Sequence, residues 1–499
     1  VNLLLLADMA ASDRADRPAL QAGEDVLTAG QLLAAAWSGA ELLEGRAGLA
    51  YVGTNGLAFP IGLFSASAAG VPFVPLNYRL TDEQLHEMLV PLGDVLVVAE
   101  GQVGEQLAGR GHRVLAAADF VATARAGAAE GEVPFDAEAP AVLLHTSGTT
   151  AAPKAAVLRH RHLTSYVITS VEFGGAGEDE AVLVSVPPYH VAGLANLLSN
   201  LYSGRRIVYL EQFDADLWVS TVRGEQVTNA MVVPTMLARV CDVLEQDGEG
   251  LPSLRALSYG GSRTPATLLE RVMGLLPEVS LTNAYGLTET SSTIAVLGPD
   301  DHRAARDGDP LAKERLSSAG QVLPSIEVEV RDDGLVVAAG EPGEIWVRGE
   351  QVSGEYAGQD APLDDDGWFP TRDRGWVDAD GYLFIEGRSD DTIIRGGENV
   401  APAEIEEVLL RHPEIAQCAV VGLPDEEWGQ RIGVVVVTRS GEDLEPSAVQ
   451  EFAREALRGS KTPDVVAFAE VLPYTETGKL LRRQVQADLQ HQLELDTPA

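Results

Sequence analysis

Over the first hundred positions, short apolar runs alternate with longer stretches in which apolar side chains recur every three or four residues. Residues 30–45 (Gly-Gln-Leu-Leu-Ala-Ala-Ala-Trp and onward) predict an amphipathic helix, 58–69 an apolar helix, and 81–92 a third helix opened by Thr81-Asp82. Between them, 49–52, 71–75 and 94–99 are continuous apolar segments and predict buried strands. Such alternation predicts a parallel sheet covered on both faces. The acidic, Gly/Ala-rich residues 123–140 read as a surface loop, and 141–144 as another short buried strand. Near the far end, 403–410, 419–422, 431–437 and 446–457 read as helix, strand, strand, helix, a compact α+β unit. No internal repeat is visible.

The 141–144 strand runs into Leu144-His-Thr-Ser-Gly-Thr-Thr-Ala-Ala-Pro-Lys154. Thr146, Ser147, Thr149 and Thr150 supply hydroxyls, Gly148 lets a ligand approach the backbone, and Lys154 adds a cation. Hydroxyls, free N–H groups and one cation suit nucleotide phosphates, although hydroxyls alone would equally make a polar turn. The lysine shifts the balance. Only four Lys occur, at 154, 313, 461 and 479, among 36 basic residues, so an ammonium here answers a need that arginine does not meet. Lys154 follows Ala-Ala-Pro and no Ser/Thr comes after it, so this is not a Walker loop.

Composition narrows the rest. At 499 residues, two or more domains are expected, and 45% hydrophobic content with 50 Gly fits a globular α/β chain. A net charge of −39 leaves no basic stripe for nucleic acid or anionic lipid, so a polyanionic ligand must meet a local positive pocket. Cys241 and Cys418 lack metal-ligand spacing and suit a reducing compartment, hence a cytoplasmic location. The apolar start has no basic residues before it, so neither a signal peptide nor a membrane span is expected.

The 146–154 segment resembles the Thr-Ser-Gly-Thr-Thr-Gly-x-Pro-Lys phosphate loop of the adenylate-forming superfamily, which comprises acyl- and aryl-CoA synthetases, peptide-synthetase adenylation domains and luciferases; Ala151 replaces its last Gly. Further segments match in family order. Asn283-Ala-Tyr-Gly-Leu-Thr-Glu289, like Tyr259-Gly-Gly-Ser262, is read as a Gly turn following an apolar strand. The resemblance sets Gly260, Gly261, Ser262, Asn283, Ala284, Tyr285 and Gly286 beside the nucleotide, Thr288 on a phosphate oxygen and Glu289 on Mg2+. In Thr371-Arg-Asp373, Asp373 would hold the ribose hydroxyls, with Arg372 where Gly is usual. Gly387-Arg-Ser-Asp-Asp391 implies that Arg388 reaches the nucleotide and that Asp390 is a hinge between domains 1–389 and 390–499. Gly396, Gly397, Trp428 and the gating His190 of Val186-Pro-Pro-Tyr-His-Val-Ala-Gly193 would form a pantetheine tunnel, and Thr475-Glu-Thr-Gly-Lys479 supplies the catalytic Lys479. Lys461 only partly matches a Lys-x-Pro segment, and Asp214 reads as a helix cap rather than a grip on a substrate amine.

The resemblance implies a large N-terminal domain of doubly wound sheets with helices, and a small mobile α+β domain. It implies a ligase using ATP, Mg2+ and CoA: a carboxylate forms acyl-AMP with Lys479, Lys154, Thr288 and Glu289 assisting, and CoA then displaces AMP. Thr169, His190, Val191, Met231, Gly260, Ala284, Gly286, Ser291 and Ser292 would line an acyl pocket without Arg or Lys, favouring an apolar monocarboxylic acid, fatty or aromatic. Alternatives are an adenylation enzyme that loads a carrier-protein pantetheine, a fatty acyl-AMP ligase, and a catalytically decayed nucleotide binder. A homodimer stays open.

Overall fold

The computed structural model describes residues 1–127, 129–146, 154–359, 361–396, 398–425, 428–439, 444–457, 459–475 and 479–496. One sheet runs, edge to edge, through Arg113–Ala116, Val95–Ala99, Gly48–Val52, Phe73–Pro75, Pro140–Thr146 and Lys154–Arg159. Its pairs are parallel except the last, where Lys154–Arg159 turns back along Pro140–Thr146. Every residue of Gly48–Val52 and Val95–Ala99 is buried, which is why these segments read as continuous apolar runs. Thr81 caps the helix Asp82–Leu89 through a reciprocal bond with Gln84, and a short 3-10 turn carrying Pro91 ends it.

A second sheet of fourteen described strands is parallel over one half, apart from the antiparallel edge strand Asp25–Thr28, and antiparallel over the other. Pro18–Ala22, Arg206–Tyr209, Ala181–Val184, Asn229–Val232, Ala256–Gly260 and Ser280–Leu287 form the parallel half. From Ser280–Leu287 onward every pair is antiparallel: Ser292–Leu297, Gly320–Val322, Tyr382–Arg388, Phe369–Val377, Gly343–Arg348, Glu327–Asp332 and Leu335–Val336. The doubly wound expectation covers the parallel half only. In the antiparallel half, buried positions alternate with partly exposed ones, as in Gly343–Arg348, so no continuous apolar run marks those strands.

The smaller unit is a long hairpin, Ile415–Asp425 with Gly429–Thr438, flanked by Ile393–Arg395, Glu398–Val400 and a parallel strand, Val465–Phe468. Period-two alternation splits its core between two faces. Val420, Val434 and Val436 pack against helices Pro402–Leu409 and Pro446–Ala456, while Ala419, Val421 and Leu423 face Leu472, Val485 and Leu489. Asp214 caps Ala215–Gly224 by accepting from the Leu217 N–H, as expected. Among the described residues no helix is long and apolar enough to cross a membrane.

Candidate active site

The strand Ser280–Leu287 pairs parallel with Ala256–Gly260 on one edge and antiparallel with Ser292–Leu297 on the other. This junction carries most of the chemistry-bearing segments. Contrary to expectation, Asn283 to Leu287 do not follow the strand but are its last residues, and Tyr259 and Gly260 end the neighbouring strand. Only Thr288–Thr290, a 3-10 turn, leaves the sheet, with Ser291 at φ 56° completing the reversal. Gly286 allows this close return: a Cβ there would stand 1.8 Å from the Ser292 carbonyl oxygen. Ser262 follows the turn that Gly261 makes at φ 83°.

At the open end of that strand the Tyr285 hydroxyl donates to Asp373 Oδ2 at 2.5 Å, and Arg388 donates to Asp373 Oδ1 at 3.2 Å. Asp373 is 6% exposed. Burial raises its pKa; the Arg388 guanidinium, the Tyr285 hydroxyl and the Lys479 ammonium oppose that rise. The tail lysine therefore lies within electrostatic reach of the carboxylate. Lys479 is exposed, its backbone N–H donating to Thr475 Oγ1 at 3.0 Å. Asn283 is turned away and donates to the Ser318 carbonyl at 3.2 Å.

The second cluster is built on Tyr356. Its segment lies along Lys154–Arg159, with Val157 N–H donating to Glu355 O at 2.9 Å and Arg159 gripping the Glu355 carboxylate at 2.8 and 2.9 Å. The Lys154 Nζ lies 5.6 Å from the Tyr356 ring centroid, and the Tyr356 hydroxyl donates to Glu289 Oε1 at 2.5 Å. Burial and the Glu289 charge raise the Tyr356 pKa, while Arg372 and Arg388 lower it. Arg388 thus acts on both clusters. Glu289 is 8% exposed, and its second oxygen has no described hydrogen-bond partner; a buried all-oxygen site beside a phosphate-type cation fits a hard divalent ion. Thr288 opens the same turn. Ser147, Gly148, Thr149 and Thr150 lie outside the described residues, as does the side chain of Thr146.

The expected acyl and thiol groups divide. His190 precedes the helix Val191–Ser203, with its ring 4.6 Å from Tyr189, and burial lowers its pKa to about 4. The Met231 sulfur meets the Asn196 amide of that helix at 3.0 Å. Ser291 is fully buried, and its hydroxyl has no described partner; Ser292 follows at φ 113°. Thr169 does not join them. It is exposed, its hydroxyl turned back to the Ser165 carbonyl at 2.7 Å, and the chain just beyond it packs Phe173 on Tyr202. That is the end of Val191–Ser203 opposite His190, about 20 Å away along thirteen residues. Gly396, at φ 58°, lies under Trp428, whose carbonyl accepts the Gly396 N–H at 2.8 Å. The His190 ring neighbours Tyr189, and the Trp428 ring neighbours Gly396 and Arg395. Gly397 lies outside the described residues. Lys461 is taken up by an ion pair with Glu404 at 2.5 Å.

Residues 7–357 match the AMP-binding enzyme family, and residues 404–479 match the AMP-binding enzyme C-terminal domain. The chain belongs to the AMP-binding enzyme family. This enzyme is 34% identical over 438 residues to 2-succinylbenzoate–CoA ligase of Bacillus cereus, covering 87% of the chain and 86% of that protein. It is also 34% identical over 450 residues to feruloyl-CoA synthase of an Amycolatopsis species, covering 88% of each. Its fold matches O-succinylbenzoate coenzyme A synthetase from Bacillus subtilis in complex with ATP and magnesium ion, with a TM-score of 0.84, 28% identity and coverage of 97% and 98%.

One member of the site, and one tie between the two units, were not legible in the AMP-binding enzyme's sequence. Tyr356 stands in an unremarkable Gly-Glu-Tyr-Ala loop, and only strand pairing with Lys154–Arg159 brings it to Glu289. Arg263 reaches the smaller unit by an ion pair with Glu407; a surface arginine gives no advance signal of that.

Proposed function

We propose that the chain is an AMP-forming acid–thiol ligase that activates a largely apolar, aromatic carboxylic acid with ATP and passes the acyl group to CoA. The observation that carries this reading is that two scarce ammonium groups act on two clusters linked by Arg388, Lys154 on the Tyr356 ring and Lys479 on the Asp373 carboxylate. A carboxylate oxygen bonds to the α-phosphorus as the bond to the β-phosphate oxygen breaks, releasing pyrophosphate. The thiol sulfur then bonds to the acyl carbon, AMP leaves, and the thiol proton passes to solvent. Two anions must approach in the first step, so positioned cations carry the catalysis. Lys479 bridges carboxylate and α-phosphate, Lys154 and Thr288 steady the phosphates, and Asp373 takes the ribose hydroxyls. Glu289 would hold Mg2+, which when bound would further neutralise phosphate charge.

The division falls at 389/390, with Asp390 exposed in the 3-10 turn Ser389–Asp391 that joins the two units. Rotation there withdraws Lys479 and brings Gly396 with Trp428 over the acyl-AMP. An aromatic acid is favoured by the two relatives' names, both of which carry polar substituents on a ring. Buried free thiols at Cys241 and Cys418 go with a cytoplasmic location.

Acid-dependent isotope exchange between pyrophosphate and ATP, run over aromatic and aliphatic acids, tests the reading. Exchange with aromatic acids and thioester formation with free CoA are expected. No exchange with any acid would leave only a nucleotide-binding role, and thioester formation solely on a carrier protein would move the chain to the carrier-loading class.

A further inference from the structure

Arg372 is held where its backbone resists being. Between Glu344–Arg374 and Trp346–Pro370 the strand register shifts, and Thr371 to Asp373 bulge opposite Ile345. Thr371 fastens the bulge, donating to the Ile345 carbonyl at 2.7 Å and accepting the Asp373 N–H at 3.1 Å. Thr371 and Asp373 are thereby buried, and Arg372 is thrown outward at φ 62°. That left-handed conformation is open to glycine and unfavourable for a side chain of arginine's bulk. A bulge also re-aims the side chain it carries.

The guanidinium is moreover unspent. Its strand neighbours are engaged, Arg374 with Asp332 and Glu386, and Arg388 with Asp373. Arg372 makes no ion pair or hydrogen bond with any described residue, in a chain of net charge −39. Its charge is nevertheless felt at the Tyr356 hydroxyl, the group that ties Glu289 to the ring under Lys154. A strained, unpaired, planar cation beside such a cluster is arranged for an anion that arrives with the ligand.

We propose that Arg372 is a phosphate-gripping residue of this site, closing on the terminal phosphates of ATP and on the pyrophosphate that leaves. The inference rests on the site being the ATP site. The favoured anion is polyphosphate rather than a second carboxylate of the acid, because the cluster Arg372 acts on is the Tyr356–Glu289–Lys154 end.

Calorimetric titration of the full chain with magnesium pyrophosphate, Mg·ATP and AMP tests it, comparing wild type with Arg372→Gly and Arg372→Lys, alongside ligand-free melting. Arg372→Gly should weaken pyrophosphate and ATP about tenfold, as loss of a charge-assisted bond to a phosphate does, while AMP changes by less than about twofold. Its ligand-free melting temperature should hold or rise, since glycine relieves the backbone, whereas a purely structural arginine would lower it. Arg372→Lys should recover part of the affinity. Unchanged pyrophosphate affinity in Arg372→Gly overturns the proposal. So does a parallel loss for AMP, which would put the guanidinium on the ribose side, or an effect confined to the KM of the acid, which would put it on a carboxylate. Failure of the wild type to bind Mg·ATP would instead overturn the ATP-site reading itself.

Discussion

A single hydroxyl distinguishes the two contacts of Tyr356: its ring faces Lys154 and its oxygen donates to Glu289. Tyr356→Phe keeps the first and removes the second. It should weaken Mg·ATP binding about tenfold, measurable by titration with and without magnesium, and leave AMP binding near wild type. Lys479→Ala should abolish pyrophosphate exchange yet spare thioester formation from supplied acyl-AMP; equal loss of both half-reactions would remove the role given to that ammonium. The two lysines were legible in the sequence because lysine is so scarce and each lies in an extended motif. Tyr356 and the conformation of Arg372 were not. Both depend on how strands far apart in the chain register against each other, and local pattern does not encode that.

Among elements, the parallel strands could be read because burial on both faces makes them uniformly apolar, while the antiparallel half of the large sheet escaped notice. The same limit explains Gly286. Its place in a Tyr-Gly motif is visible in the sequence, but the carbonyl it accommodates belongs to the returning strand. Thr169 failed for a related reason, since a resemblance fixes order along a helix and not which end faces the site. The loop of Gly396 has a sharper prediction. At φ 58°, with a Cβ placed 2.9 Å from the Trp428 ring, Gly396→Ala must displace the indole. Single-turnover assays should show slowed thioester formation with pyrophosphate exchange unchanged, because adenylation does not use that contact.

At the scale of the whole molecule, histidines set the acid limit of stability. His160 accepts the Leu3 N–H at 3.0 Å, and burial lowers its pKa to about 4; burial lowers His162 to about 3 and His190 to about 4. Each is depressed below its unfolded value near 6.5, so the unfolded chain takes up protons first as pH falls. Their stabilisation is complete above about pH 6.5 and is lost on descent to about 4 for His160 and His190 and to about 3 for His162, by at most roughly 3–5 kcal/mol per histidine. Melting temperature should therefore fall across that window, and His160→Gln, which keeps a neutral acceptor at Leu3, should flatten the fall.

Lysine scarcity has a practical corollary, because Lys313 is exposed on a short helix and Lys461 is paired with Glu404, leaving Lys154 beside the Tyr356 ring and Lys479 in the field of Asp373 as the two lysines proposed to meet the nucleotide. Amine-directed labelling of this molecule therefore carries almost no background. On the proposed function, two of its four side-chain signals should change when nucleotide is added, and the other two should serve as references.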